Sequence, residues 1–240
     1  MLRLAPVVLA AALALAERTD VGNLGAADNA WLILVDDLHL SFTQTGRLRD
    51  LLRKVAAELI QDGDRYELRA SGPSAASLTT GALTDDRSLA SSAIKFMTGN
   101  GLNDSDLLAS GALTFSAEVL YRANTALDAA EEAVFALTRE AAPRQAIVYV
   151  SSGYDVEAFP AIAARVSAVA RRARENNITI FPIDARGFAA LPIPDPRLDA
   201  HTIATRRSLS MIADDTGGFV IERPSTPDVG LKRINAQMRK

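Results

Sequence analysis

Acidic, imidazole and hydroxyl side chains follow a short apolar run in the stretch WLILVDDLHLS, from Trp31 to Ser41. The spacing Asp37-x-His39-x-Ser41 puts three polar side chains at alternate positions. Alternate residues of an extended segment point to the same side, so these three can converge. Carboxylate and hydroxyl oxygens suit a hard cation such as Mg²⁺, which takes few protein ligands and keeps several waters. The stretch therefore predicts a cation or partner site, with Asp36 as a further carboxylate.

The elements that would position this site follow from alternating apolar runs and segments of helical periodicity. Predicted strands are WLILVD, RYELRAS, QAIVYVS, ITIFPID and FVIE, with SLTTGAL as an edge strand. Predicted helices lie between them, including a long one from about Phe115 that breaks near Asn124, while His201 is placed in a loop. This alternation predicts an α/β fold: a doubly wound, mostly parallel sheet with helices on both faces and one antiparallel edge strand.

In such sheets the ligand site lies beyond the carboxyl ends of the strands. Three predicted strand ends carry polar clusters, in VDDLHLS, VSSGYD and PIDARG. Asp184 of the third cluster is expected to form a turn with Arg186 or Gly187.

Composition narrows the class of protein. The chain has 240 residues, 48% of them hydrophobic, with a formal net charge of −3 and no cysteine. This balance predicts one folded domain, without a basic patch for nucleic acid. The lack of cysteine excludes disulfides, thiolate zinc sites and cysteine nucleophiles.

The first residues are typical of an export signal. A short cationic start at 1–3 precedes the uncharged apolar run 4–16, which ends in Ala-Leu-Ala. We expect a signal peptide over 1–16, a linker over 17–29 and the folded domain over 30–240. The protein is then exported, to the periplasm or outside the cell; an ordinary N-terminal helix of a cytoplasmic protein is the alternative. No other segment is long and apolar enough to span a membrane.

Six stretches together resemble the von Willebrand factor A (VWA) domain, and particularly the bacterial VWFA-related family. In chain order they are LILVDDLHLSFTQTGRLRDLLRK, ALTDDRSLASSAI, NTALDAAEEAV, AIVYVSSGYD, ITIFPIDARG and LSMIADDTGGFVI. The resemblance implies a doubly wound sheet and a metal-ion-dependent adhesion site. In that site an Asp-x-Ser-x-Ser motif, a threonine from a second loop and an aspartate from a third hold a divalent cation.

The resemblance assigns the site residue by residue. Asp37 matches the motif aspartate, Ser41 its second serine and Thr125 the threonine, whereas His39 stands in place of the first serine. The third-loop aspartate falls at Ser152 and is missing, which leaves Asp36 and Asp155 as nearby carboxylates that can compensate.

Two alternatives remain open for this degenerate site. In one it holds Mg²⁺, Mn²⁺ or Ca²⁺. In the other it is vestigial and metal-free: Asp37 and Ser41 cap loop amides, and His39 packs on a neighbour.

The function expected from the resemblance is non-enzymatic binding of another protein, whose Asp or Glu side chain completes the cation's coordination. A structural or assembly component with an inert site is the alternative. A hydrolase using the same strand ends is less favoured, since Gly-x-Ser-x-Gly is absent. Phosphotransferases of the dehalogenase type need Asp-x-Asp, but here Asp37 is followed by Leu38 and His39. Dinucleotide binding is also unsupported, because no Gly-x-Gly-x-x-Gly motif follows the first strand.

Overall fold

The computed structural model describes residues 28–78, 82–102, 117–188, 195–222 and 224–240. The predicted signal peptide and residues 17–27 of the predicted linker lie outside these ranges. The same holds for residues 103–116, which include the predicted start of the long helix near Phe115.

Four parallel strands form the sheet: β1 (Ala30–Val35), β2 (Arg65–Ala70), β3 (Gln145–Ser151) and β4 (Ile178–Asp184). Their order across the sheet is β2-β1-β3-β4, and all three neighbouring pairs are parallel. Every residue of β1 is buried, as expected for a strand covered on both faces of a parallel sheet. This arrangement places β1 between β2 and β3, so the loops after these three strands share one edge.

Seven helices surround the sheet in the described ranges. They are α1 (Thr45–Leu59), α2 (Ala75–Leu78), α3 (Arg87–Ile94), α4 (Ala117–Leu137), α5 (Pro160–Glu175), α6 (Pro196–Thr216) and α7 (Asp228–Met238). Short 3₁₀ helices cover Asp37–His39, Phe42–Gln44 and Ala185–Phe188.

The hydrophobic core has two halves, one on each face of the sheet. Alternate side chains of β1 separate them: Trp31, Ile33 and Val35 pack with α1, α3 and α7. Leu32 and Leu34 pack on the opposite face with α4 and α5. The predicted doubly wound sheet with helices on both faces is therefore confirmed.

The predicted antiparallel edge strand is not formed within the described ranges. The one antiparallel pairing there is a single bridge between Tyr66 of β2 and Thr84, with N–H···O distances of 2.8 Å in both directions. The start of the predicted strand, at Ser77, instead belongs to α2, and residues 79–81 lie outside the description. The predicted strand FVIE is likewise reduced to one parallel bridge between Ile183 and Ile221.

Two helices run further than the sequence pattern predicts. Helix α4 continues without a break through Asn124, whose side-chain amide donates to the Leu120 carbonyl at 2.8 Å. This bond keeps the asparagine inside the helix rather than ending it. Helix α6 begins at Pro196 behind the capping side chain of Asp195, so His201 lies on a helix and not in a loop.

Among the described residues, no helix combines the length and the apolar character that crossing a membrane requires.

Candidate functional site

The loops after β1, β2 and β3 meet at the carboxyl edge of the sheet and bring the predicted residues together. Residues 36–41 follow β1, residues 71–74 follow β2, and residues 152–155 follow β3. A fourth segment, 97–101, runs alongside the first loop through a parallel bridge between Ser41 and Gly101. The site is thus assembled from segments that are distant in sequence.

Asp37 is the centre of the site and is fully buried. Its Oδ1 accepts from the Gly72 amide at 2.6 Å and from the Ser71 hydroxyl at 3.4 Å. Its Oδ2 accepts from the Ser74 amide at 3.0 Å and from the Asn100 side-chain amide at 2.9 Å. A carboxylate has about four acceptor positions, and these four donors occupy them.

Asp36 is a second fully buried carboxylate, with a different set of donors. Ser151 donates to Oδ2 at 2.7 Å, Tyr154 to the same oxygen at 3.1 Å, and Ser71 to Oδ1 at 3.1 Å. Burial opposes ionisation of Asp36, but nearby His39 and the hydrogen bonds from His39, Ser151 and Ser71 outweigh it and lower the pKa of the carboxyl. Asp36 is therefore ionised at neutral pH.

His39 is held by Asp36, with 2.9 Å between the imidazole Nδ1 and Asp36 Oδ1. Its ring meets the ring of Tyr154 edge-on, with centroids 5.1 Å apart. The side chain is 18% exposed. Within the described ranges no hydroxyl is hydrogen-bonded to the imidazole Nε2, so this Asp–His pair lacks the nucleophile of a serine hydrolase.

Two buried tyrosines complete the surroundings of Asp36. The hydroxyls of Tyr149 and Tyr154 are hydrogen-bonded to each other. Burial and the charge of Asp36 raise the pKa of both tyrosines well above 10.0, so both stay protonated as donors. Gly153, at φ +75°, makes the turn that delivers Tyr154, whose backbone N–H donates to Ser208 of α6 at 2.8 Å.

The remaining predicted site residues have other partners. The Ser41 hydroxyl pairs with that of Thr43 at 2.8 Å, and the Ser152 hydroxyl donates to the His39 carbonyl at 2.9 Å. Asp155 accepts from the backbone amides of residues 157 and 158. Thr125 lies inside α4, and its hydroxyl donates to the Tyr121 carbonyl one turn earlier, at 2.9 Å. The structure thus gathers Asp36, Asp37, His39 and Ser152, and gives Thr125 and Asp155 local roles.

This geometry does not fit a divalent cation. A cation needs free oxygen lone pairs, whereas both oxygens of Asp37 face N–H or O–H donors. Within the described ranges, no three His, Asp or Glu side chains are grouped as metal ligands would be. Asp37 instead accepts from the loop amides of Gly72 and Ser74, and His39 packs against Tyr154.

Several residues of the site were not singled out by sequence reasoning. They are Ser71, Ser74, Asn100, Ser151 and Tyr154. The pair Ser71 and Ser74 directly follows β2, so the rule that neighbouring strand ends share one edge could have found them. Asn100 carries no such signal, because its place depends on the path of segment 97–101.

Asp184 behaves as its turn position predicts. Its Oδ1 accepts from the Arg186 backbone amide at 3.1 Å, and its carboxylate binds the Arg186 guanidinium. The side chain of Arg206 adds a second contact at 3.2 Å. These bonds join β4 to α6 and leave Asp184 outside the cluster around Asp36 and Asp37.

Comparison with protein-family models finds no match, and comparison with curated protein sequences finds none. Among solved structures, the chain is similar to a point mutant of the PilB minor pilin from Streptococcus sanguinis, with a TM-score of 0.52 and 10% identity. The match covers 90% of this chain and 62% of the pilin chain, so this chain spans less than two thirds of its length. The N-terminal domain of TFIIH p34 is matched with a TM-score of 0.40 and 14% identity, over 87% of this chain and 97% of that one. The pilin likeness supports the α/β fold alone.

Proposed function

We propose that this chain is a non-enzymatic, protein-binding domain of VWA type that binds its partner without a divalent cation. The observation that carries this proposal is the saturation of the Asp37 carboxylate by four donors from two neighbouring segments. A partner carboxylate therefore finds no cation at Asp37 whose coordination it could complete. Recognition then depends on the protein surface around Asp37.

Exposed aromatic side chains beside the site support a protein partner. Phe42 directly follows Ser41 and is 73% exposed, and Tyr121 near the start of α4 is 67% exposed. The neighbouring Arg122 donates to the carbonyls of Leu38 and Asn100, which ties this end of α4 to the same edge. Aromatic residues are enriched at protein interfaces, where they supply much of the binding energy.

The absence of a nucleophile at the imidazole of His39, within the described ranges, argues against hydrolysis. Asp36 is fully engaged as an acceptor and serves to orient that imidazole. The site therefore has a hydrogen-bonded interior with exposed aromatic side chains beside it, which favours binding over turnover.

Cation independence is tested by thermal unfolding of the full chain in EDTA and then in Mg²⁺, Mn²⁺ or Ca²⁺. We expect the same melting temperature in all four conditions, because Asp37 has no free oxygen. A melting temperature that rises with one cation in the wild type, and not in Asp37→Ala, would contradict the metal-free site.

Protein binding is tested by selecting peptides from a displayed library against the immobilised chain in EDTA. Selected peptides should lose about 30-fold in affinity on Phe42→Ser, as expected for a central aromatic contact. Val229→Ser is the matched control, since Val229 is 82% exposed on α7. Equal effects of the two substitutions, or binding that needs a cation, would refute the proposed surface.

A further inference from the structure

Asn100 and Gly101 form the only Asn-Gly pair in the sequence. Asparagine followed by glycine is chemically labile, because glycine has no Cβ to hinder attack of its backbone nitrogen on the preceding side-chain amide. In this fold the pair lies in segment 97–101, which crosses the candidate site. The rate at which this pair reacts therefore depends on whether segment 97–101 is held against the loop after β1.

Both reacting groups are held by hydrogen bonds. The Gly101 amide, which would attack, donates to the Leu40 carbonyl at 2.7 Å. The Asn100 side-chain amide, which would leave, donates to Asp37 Oδ2 and to the Thr98 carbonyl, each at 2.9 Å. Each of these bonds must break before the nitrogen of Gly101 can reach the side-chain carbon of Asn100.

The backbone of the segment is fixed as well. The Asn100 amide donates to the Asp37 carbonyl at 2.8 Å, and the Gly99 amide donates to the Thr45 hydroxyl at 3.1 Å. Arg122 of α4 donates to the Asn100 carbonyl at 2.8 Å. Gly99 and Gly101 both pass so close to the first loop that an added Cβ would lie within 3 Å of its backbone. The closed segment thus protects the labile pair.

We propose that Asn100 is a deamidation site gated by release of segment 97–101 from Asp37, and that its modification is a one-way switch of this edge. When the segment opens, the Gly101 nitrogen loses its proton to solvent hydroxide and bonds to the side-chain carbon of Asn100. The bond from that carbon to the amide nitrogen breaks, and ammonia leaves. Water then opens the five-membered imide to aspartate or isoaspartate, so the net change is one water consumed and one ammonia released.

Segment 97–101 cannot return to its closed position once Asn100 has become an acidic residue. Deamidation replaces a donor that faces Asp37 Oδ2 and the Thr98 carbonyl by a carboxylate, which faces the same two oxygens as a like charge and an acceptor. Asp37 also loses one of its four donors. The segment beside Ser41 therefore stays detached, which changes the edge near Phe42.

The test is peptide mass spectrometry of the full chain after incubation at mildly alkaline pH, native and in urea. We expect Asn100 to deamidate at least about tenfold more slowly in the native chain than in urea, because several hydrogen bonds must open together. Equal native and unfolded rates would overturn the gating.

Two variants separate local release from global unfolding. Arg122→Ala removes the bond from α4 to Asn100 and should speed deamidation by about tenfold, the effect of losing one charge-assisted hydrogen bond. Asp64→Asn weakens the fold near the amino ends of β1 and β2, where Asp64 accepts from Asn29 and Trp31. It should leave the rate at Asn100 unchanged under native conditions, and equal acceleration by both variants would overturn the local mechanism.

The switch itself is tested on Asn100→Asp, which has the aspartate product. Amide hydrogen exchange at Gly101 should be at least about tenfold faster than in Asn100→Ser, which loses the same donor without adding a charge. Equal exchange in the two variants would show that the modification does not hold the segment open.

Discussion

Replacing Asp37 with alanine removes the acceptor of four hydrogen bonds in the interior of the protein. Three of them are short, between 2.6 and 3.0 Å, and come from Gly72, Ser74 and Asn100. A hydrogen bond to a charged group contributes about 1.5 kcal/mol or more. Loss of the three short bonds should therefore lower the free energy of unfolding by about 4 kcal/mol, a large part of the stability of a typical domain.

The assay is urea unfolding followed by fluorescence of Trp31, the only tryptophan, which is fully buried in β1. Asp37→Asn should lose about half as much as Asp37→Ala, because the amide keeps one acceptor oxygen but turns its NH₂ toward donors. Both losses should be the same with and without EDTA, since hydrogen bonds and not a cation are removed.

Asp155→Ala is the matched control for this prediction. Asp155 also accepts from two backbone amides, those of Glu157 and Ala158, but it is partly exposed. Water can replace its carboxylate, so a loss of only about 1 kcal/mol is expected. If Asp37→Ala were no more destabilising than this control, Asp37 would not be the centre that joins the loops.

Three further predictions concern the glycine turn, the C-terminal helix and the tyrosines. Gly153→Ala should lower the free energy of unfolding by more than about 2 kcal/mol and Gly217→Ala by only about 1. Both glycines have φ near +75°, but only an added Cβ at Gly153 would meet a backbone oxygen, at 2.2 Å, so equal losses in urea unfolding would contradict the steric explanation. Arg239→Ala should lower the free energy of unfolding by about 2 to 3 kcal/mol in the same assay, since it leaves buried Asp64 without its 2.5 Å ion pair. A loss below about 0.5 kcal/mol, as for ordinary surface positions, would show that the ion pair contributes little. Burial and a neighbouring carboxylate raise the pKa of Tyr154 well above 10.0, so the stabilisation from its protonated form is complete below pH 10 and is lost as pH rises further. Tyr154→Phe should make the free energy of unfolding fall less steeply at alkaline pH, and an unchanged pH dependence would argue against the buried network as its source.

Much of the sheet could be predicted from local pattern. β1, β3 and β4 are short apolar runs bounded by polar residues, and a fully buried strand needs no more than this. FVIE has the same character but forms only one bridge at Ile221. The outer edge of β4 is also occupied by the Thr216 hydroxyl, which binds the Ile180 backbone at 3.1 Å. Apolar pattern alone does not tell a strand from a short covering segment.

The helix ends were harder to predict because they depend on individual hydrogen bonds. Asn124 is a common helix-ending residue, yet its side chain bonds back to the carbonyl of Leu120 and α4 continues. The start of α6 depends on Asp195, whose side chain caps the Arg197 amide at 2.8 Å. Propensity describes averages over many proteins, and one side-chain contact reverses it.

By itself the sequence determined the α/β alternation and the place of the acidic residues directly after β1. Both follow from residues that are close in the chain, because apolar periodicity and strand ends are local properties. Only the tertiary structure decided what surrounds Asp37. Its donors lie 34 to 63 positions away along the chain, and they reach it because β2 pairs with β1 and segment 97–101 crosses the same edge. A carboxylate binds a cation or caps amides according to which atoms face it, and here those atoms are hydrogen-bond donors.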